Sequence, residues 1–325
     1  MNKIVIYTEG GFYLGLGNVY RMIELGKSLL IKKPDLHITF ITSSENYVVE
    51  LIQNNGFDVK QDMKESLPEL ISLQDFNVLI IDKLNIEEAF IHSIKRTKKE
   101  IFKVVIFGNL TSANRMSDLV INAIIGSDFS NKNYVDKYGT MYLTGPKYLT
   151  LRDEFKNHSY IYKNECRNIL LLFGGTDQAN YSCKVLNDLL NAPIQYNITL
   201  VIGKGYNFFD ELEKILNIAR DVQVLKDIKN VNEVMLANDF LITSPGTALF
   251  EGLYLGLPYL ALYQNESQKE VFGDFLNTKS YDDINDISYC IRSIYYDYGS
   301  YQKNANNLEV GQGKNEIIKQ IIKLI

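Results

Sequence analysis

The chain has 325 residues, 46% of them hydrophobic and 22% charged, with no low-complexity tract, so it is globular and long enough for two domains of ordinary size. Its net charge is -5 and it carries no Lys/Arg-rich stripe, which removes the electrostatic basis for nucleic-acid binding. The three cysteines, Cys166, Cys183 and Cys290, are odd in number and lack CxxC spacing, which excludes a disulfide framework and a zinc knuckle and points to a reducing compartment.

The N-terminus runs directly into Lys3-Ile4-Val5-Ile6-Tyr7, without an apolar stretch of signal-peptide length, and no apolar run is long enough to span a bilayer. A cytoplasmic protein without a transmembrane segment is expected. Short β-branched runs then alternate with helical patterns. Ile4–Tyr7, His37–Ile41, Val78–Ile81 and Val104–Phe107 read as strands, with helices such as Val19–Leu30 and Ile86–Lys98 between them. The strands are almost wholly apolar, as parallel strands covered on both faces must be. Lys95-Arg96-Thr97-Lys98-Lys99 reads as the solvated end of a helix. From about 130 to 165 polar and aromatic residues interrupt the periodicity, and a domain connection with hinge motion is expected near 140–165. A second series of strands follows, at Asn168–Phe173, Tyr196–Ile202, Val222–Leu225, Phe240–Thr243 and Tyr259–Tyr263. Its helices are Tyr181–Leu190, Phe208–Ala219, Val231–Ala237, Thr247–Leu255 and Gln268–Leu276. The tail from Asp283 is mostly helical in pattern and is expected to pack against the cleft or the first domain. Two doubly wound α/β domains, 1–149 and 150–325, are thus expected.

The glycine-rich segments fall at strand-to-helix junctions, where open α/β sheets bind their ligands. Gly10-Gly11-Phe12-Tyr13-Leu14-Gly15-Leu16-Gly17-Asn18 leads into a helix whose first turns hold Arg21. Such a loop admits close approach of a ligand to the backbone and offers helix N–H groups to an anion, although turns also use glycine for conformation alone. Phe173-Gly174-Gly175-Thr176-Asp177 repeats the pattern, with Asp177 or Asn180 placed to cap the next helix. Thr243-Ser244-Pro245-Gly246-Thr247 precedes a helix carrying Glu251 one turn in, positioned for ribose hydroxyls or simply to complement the helix dipole. Gln264-Asn265-Glu266-Ser267-Gln268 offers amide groups suited to an uncharged sugar. Asp82, at a strand end, reads equally as a base and as a turn residue. None of His37, His92 and His158 lies in these loops, and the signatures of serine hydrolases, zinc proteases, P-loop proteins and kinases are absent.

Leu14-Gly15-Leu16-Gly17-Asn18-Val19-Tyr20-Arg21, Phe173-Gly174-Gly175-Thr176-Asp177 with Asn180, Gly246 to Glu251 and Leu255-Gly256-Leu257-Pro258 together resemble one family. It is that of the pseudaminic-acid-pathway UDP-sugar hydrolases and the spore-coat polysaccharide glycosyltransferases, more distantly similar to the lipid II-forming N-acetylglucosaminyltransferase. Thr144-Gly145-Pro146-Lys147-Tyr148 and Leu151-Arg152-Asp153-Glu154-Phe155 are similar to the family's pocket segment, so Tyr148 and Arg152 enter the candidate site. The resemblance runs over most of the chain. It implies a GT-B fold, two Rossmann-like domains facing a central cleft, with the nucleotide on the second and the sugar facing the first. Gly174, Gly175 and Thr176 would then lie near the phosphates with Asp177 beside them. Gly246 and Thr247 would cradle the diphosphate, Glu251 would bind the ribose, and Asn265 and Gln268 would reach the sugar. The family carries a histidine where this chain has Asn18, and its Asp-His pair is here Asp82-Lys83. Asparagine has no titratable nitrogen to act as base.

Three outcomes follow from that substitution: transfer to an acceptor hydroxyl with another base such as Asp82, hydrolysis with water held by Asn18, or sugar-nucleotide binding without catalysis. Transfer is the leading reading, with Gly15, Gly17 and Asn18 around the reacting centre and Arg21 nearby. The expected partners are a UDP-sugar and a glycan or lipid-linked acceptor. Without a DxD-type motif, neither metal nor cofactor is expected, and helix and loop dipoles would stabilise the leaving diphosphate.

Overall fold

A computed structural model describes residues 2–11, 16–62, 67–83, 85–124, 128–203, 205–219 and 222–325, with only the backbone of Asp153. Contacts divide the chain into two compact units, 1–152 with 311–325, and 153–310.

The first unit is built on strands β1 (Lys3–Thr8), β2 (His37–Thr42), β3 (Asp58–Gln61), β4 (Val78–Asp82), β5 (Lys103–Phe107), β6 (Leu119–Asn122), β7 (Lys132–Val135) and β8 (Met141–Thr144). They form one sheet in the order β3-β2-β1-β4-β5-β6-β8-β7, parallel except for the β7–β8 pair. Helices α1 (Gly17–Lys32), α2 (Asn46–Gln53), α3 (Leu67–Ser72) and α4 (Glu88–Thr97) connect the strands. Alternate strand residues feed opposite cores. Ile4, Ile6, Val78 and Ile80 pack with Met22, Leu25 and Leu29 of α1, while Val5, Tyr7, Leu79 and Ile81 pack with Ile71 of α3 and Ile91 and Ile94 of α4. Both faces are therefore covered, which is why these strands lack the polar alternation of a half-exposed sheet.

Two expectations are corrected here. Residues 132–144, the first part of the interrupted stretch, belong to the first sheet, where β7 and β8 form an antiparallel pair and the ring of Tyr134 stacks on Tyr142 at 4.8 Å, while the boundary between the two units falls later in that stretch, after Arg152. The polar pattern arises because β7 is an exposed edge strand. Lys98 is not solvated. Its Nζ donates to the Gln74 carbonyl at 3.0 Å and lies 4.6 Å from the centre of the Phe76 ring, so the charge at the end of α4 is buried against an aromatic face.

The second unit repeats the scheme with β9 (Asn168–Leu172), β10 (Asn197–Ile202), β11 (Val222–Lys226), β12 (Phe240–Thr243), β13 (Tyr259–Leu262) and β14 (Thr278–Lys279), all parallel, in the order β11-β10-β9-β12-β13-β14. Its helices are α5 (Tyr181–Leu190), α6 (Phe209–Leu216), α7 (Val231–Ala237), α8 (Thr247–Leu255), α9 (Glu266–Phe272), α10 (Ile287–Tyr296) and α11 (Tyr298–Asn307). Asp239, 1% exposed, ties the amino ends of β9 and β12 together by accepting from the Arg167 and Asn168 backbone N–H groups and from Lys163. The last helix, α12 (Lys314–Lys323), belongs to the first unit, where Ile317, Ile318 and Ile321 join the core beneath α1.

Candidate active site

In each sheet the strand order reverses beside the first strand, between β1 and β4 and between β9 and β12. Helices on the two sides of such a point run on opposite faces, leaving a crevice at the carboxyl ends of the strands. The glycine loops singled out in the sequence leave β1, β9 and β12, and are thus at these two points by topology.

In the second unit the three strand exits are stitched together by Gln264, just after β13. Its amide nitrogen donates to the Phe173 carbonyl at 3.1 Å and to Ser244 Oγ at 2.7 Å, and its oxygen accepts from Ala179 N–H at 3.1 Å. Gln268 adds a second tie, accepting from Gln264 N–H at 2.8 Å and donating to the Pro245 carbonyl at 2.9 Å. Asn265 caps α9 by accepting from Gln268 N–H at 2.9 Å. The side chains of Asn265 and Gln268, expected from the resemblance to reach a sugar, thus have structural hydrogen bonds already. The sequence marked Gln264 only as one of the polar groups suited to a sugar, and its tie between three strand exits becomes visible only in the fold.

The loop after β9 is braced from below. Gly205 N–H donates to the Gly175 carbonyl at 2.9 Å, and a Cβ on Gly203 would stand 2.6 Å from the Gly175 Cα. Only glycine at 203 allows the β10 exit to approach this closely. Gly174 has φ +83°, a conformation that itself calls for glycine. Gly175 and Gly246 differ: a Cβ at either would meet nothing within 4 Å, and Gly246, at φ 161°, has extended backbone open to any residue. Packing does not require glycine at these two places, and the space above them is open.

The helix starts also differ. Asp177 accepts from Tyr181 N–H at 2.9 Å through one oxygen and from Ser182 N–H at 2.7 Å through the other. Burial pushes its carboxyl upward while these N–H groups pull it back. Asp177 is therefore the helix cap, with the N-terminus of α5 occupied, and it is a correction to the ligand role. Asn180 accepts from the Tyr206 hydroxyl at 3.1 Å and contributes no cap bond. The start of α8 at Gly246 and Thr247 has no side-chain cap, and Glu251 is buried one turn further on, 3% exposed. Thr176 lies between the open glycine and the cap, half-buried.

In the first unit α1 likewise starts without a side-chain cap, at Gly17. Arg21, one turn in, makes a two-pronged ion pair with Asp82, Nε to Oδ2 at 2.8 Å and Nη2 to Oδ1 at 2.6 Å, and Nη2 also donates to Asn18 Oδ1 at 3.0 Å. Asp82, 1% exposed, has both oxygens engaged, which corrects its candidacy as a base. Burial pushes its carboxyl upward and the guanidinium opposes that shift. Asn18 is fixed through its oxygen, leaving its NH₂ as the group that can donate. Gly15 lies outside the described residues. Tyr148 is corrected too: it is 2% exposed, its hydroxyl donates to Asn133, and Gly313 packs so closely on its ring that a Cβ would come within 2.6 Å. It anchors the returning C-terminus. Arg152 is half-buried at the end of the first unit.

A cluster missed in the sequence occupies the same rim. Glu9 follows β1 and Lys83 follows β4, and because Thr8 and Asp82 are register partners the two are brought together. Lys83 Nζ lies 3.0 Å from Glu9 Oε1, Ser43 Oγ donates to the same oxygen at 2.8 Å, and the Tyr7 hydroxyl donates to it as well. Burial alone would raise the Glu9 carboxyl, but the Tyr7, Ser43 and Lys83 hydrogen bonds outweigh it and hold the carboxyl below its ordinary value. A glutamate beside a glycine pair carries no sequence signal of its own, and only the strand register reveals the pair.

No known protein-family profile matches the chain. It is 38% identical over 335 aligned positions to an uncharacterized protein of Methanocaldococcus jannaschii, covering 99% of this chain and 66% of that protein. It therefore spans just under two thirds of that relative. It is 28% identical to the spore coat polysaccharide biosynthesis protein SpsG of Bacillus subtilis, over 81% of this chain and 78% of SpsG. It is 21% identical to the UDP-2,4-diacetamido-2,4,6-trideoxy-beta-L-altropyranose hydrolase of Campylobacter jejuni, over 86% and 98%. Among solved structures it superposes on Anabaena HepE in complex with UDP-glucose with TM-score 0.61 and on Acinetobacter baumannii MurG with 0.63, at 12% and 10% identity, over 99% or more of each chain. This is a GT-B protein, homologous to SpsG and to the altropyranose hydrolase. At such low identity the structural likeness is one of fold, and in a GT-B protein the two switch points are where ligand chemistry is to be sought. Among the described residues no cluster of acidic, cysteine or histidine side chains could hold a metal ion, and no helix is long and apolar enough to cross a membrane.

Proposed function

We propose that the chain is a nucleotide-sugar-dependent glycosyltransferase of surface polysaccharide synthesis that acts on a UDP-sugar at the anomeric C–O–P linkage. The observation that carries this reading is the bare backbone at Gly175 and Gly246, where neither packing nor backbone conformation requires glycine but close approach of a diphosphate does. Thr247, at the uncapped start of α8, offers N–H groups and the positive end of the helix dipole to the leaving phosphates. Glu251 is the candidate ribose ligand, and Gly174 and Thr176 shape the adjoining loop. With Asp177 plugging α5, the phosphate-binding role falls to α8.

In the first unit, Arg21 holds Asn18 by its side-chain oxygen, which leaves the Asn18 NH₂ to donate to an oxygen of a ligand at the uncapped start of α1 beside Gly17. The acceptor is proposed to be a glycan or lipid-linked hydroxyl. Hydrolysis is the second reading, favoured by the homology to the altropyranose hydrolase, and differs only in that water takes the place of the acceptor.

The test is UDP release from UDP-glucose, UDP-N-acetylglucosamine and the UDP-diacetamido-trideoxyhexose, with and without glycan and lipid-linked acceptors. Release that depends on an acceptor is the expected result. Release without any acceptor selects hydrolysis, and binding without release removes both readings.

A further inference from the structure

Two amide side chains orient the backbone of the glycine loops in the second unit. Gln264 Nε2 donates to the Phe173 carbonyl at 3.1 Å and to Ser244 Oγ at 2.7 Å, while its oxygen accepts from Ala179 N–H at 3.1 Å. A backbone carbonyl can only accept and a backbone N–H can only donate, so these partners fix which way the amide faces. One nitrogen that touches both loops also holds the exits of the neighbouring strands β9 and β12 together. Gly175 and Gly246, where a Cβ would meet nothing, each follow two residues after a group it holds.

Every tied carbonyl belongs to a peptide unit whose other end is an N–H, and in a trans peptide the two point in opposite directions. Among the described residues no peptide bond is cis. The Phe173 carbonyl, held by Gln264, therefore turns the Gly174 N–H away from that amide. Gln268 Nε2, 2.9 Å from the Pro245 carbonyl, does the same for the Gly246 N–H, and Gly205 N–H, 2.9 Å from the Gly175 carbonyl, does it for the Thr176 N–H. None of these three N–H groups has an acceptor among the described residues. Gly174 is exposed, and Thr176 and Gly246 are half-buried. Free backbone donors beside open glycines match the oxygens of a diphosphate.

We propose, resting on the nucleotide-binding reading above, that Gln264 and Gln268 are the positioning residues of the diphosphate site. Their amides are spent on the backbone: by holding the Phe173 and Pro245 carbonyls they keep the Gly174 and Gly246 N–H groups turned to the phosphates. Without the ties a peptide unit can turn over and present its carbonyl oxygen to the anion, which replaces attraction by repulsion. All the residues involved belong to the second unit.

The experiment titrates the full chain with UDP by calorimetry and with uridine, which has the base and ribose but no phosphate, by ligand-observed NMR. Gln264→Met keeps the length of the side chain and removes its hydrogen bonds without adding charge. It should weaken UDP binding by about tenfold or more, the scale of a lost charge-assisted hydrogen bond, and change uridine binding by less than about twofold. Gln268→Met should act in the same direction, and because UDP carries no hexose the effect cannot come from a lost sugar contact. It leaves the Gln264 ties to Phe173 and Ser244 in place, so it decides the matter if Gln264→Met does not fold. Asp239→Asn loosens the same two strands at their amino ends, and should lower the melting temperature while leaving the ratio of UDP to uridine affinity unchanged. A folded Gln264→Met whose UDP affinity is within about twofold of wild type overturns the assignment and leaves the nucleotide reading standing. So does an equal fall in UDP and uridine affinity, which marks a structural role, and so does the same selective loss in Asp239→Asn, which would follow from loosened strands alone. A wild-type chain that binds UDP no better than uridine removes the diphosphate site and the proposal with it, and one that binds neither removes the function reading itself.

Discussion

Arg21 and Asp82 show how a buried charge is held at the end of a central strand. Asp82 is almost fully buried, and its charge is tolerable only because the guanidinium meets both oxygens. Arg21→Met leaves that charge without its partner and should cost about 3 kcal/mol in urea denaturation, much of which Arg21→Met/Asp82→Leu should restore. A single variant within about 0.5 kcal/mol of wild type would contradict the picture, since that is the range of an ordinary surface change. Glu9 makes a separate pH prediction. Its folded-state value lies below the ordinary 4.5, so its contribution to stability is present above the unfolded value and drains away as pH falls through the folded one. The difference in denaturation midpoint between wild type and Glu9→Gln should therefore shrink as pH is lowered below about 4.5 and stay constant above it.

Among the secondary elements, the loop after β9 is held by the loop after β10. Gly203→Ala forces a Cβ against the Gly175 backbone, so the β9 exit must shift and UDP affinity should fall about tenfold or more, read by calorimetry. If the variant binds UDP as well as wild type does, the loop after β9 does not form part of the site. The central strands and principal helices were legible in the sequence to within a few residues, because β1, β4, β9 and β12 are covered on both faces and thus continuously apolar. β3, β6, β7, β8 and β14 were not, β6 and β8 being only four residues each. Asp58-Val59-Lys60-Gln61 and Lys132-Asn133-Tyr134-Val135 lie toward the exposed edges of their sheet, where burial no longer imposes a pattern, and β14 has only two residues. The candidate site was legible in its glycines, at 175 and 246, where neither packing nor backbone conformation requires them, and at 174, where a φ of +83° does. It was illegible where residues meet through strand register, as Glu9 and Lys83 do, or through tertiary hydrogen bonds, as at Gln264. Asp177 and Tyr148 show the converse, residues that fit a family motif while their side chains serve the fold.

At the scale of the whole molecule, one strand order is used twice and the chain ends where it began. α12 buries Ile317, Ile318 and Ile321 in the first core, each worth about 1.5–3 kcal/mol relative to exposure, against a typical domain margin of about 5–15 kcal/mol. Removal of residues 311–325 should unfold the first unit and leave 153–310 protected in hydrogen exchange, and equal protection of both units would contradict the assignment of α12. The central claim is that open backbone at the start of α8 receives the diphosphate of a UDP-sugar, and titration of UDP into the wild-type chain and into Gly246→Val tests it most directly. Because Gly246 has extended backbone and open space around it, valine should leave the fold and melting temperature intact while weakening UDP binding by about tenfold or more. Equal UDP affinity in the two proteins, or no saturable binding in the wild type, would contradict the claim.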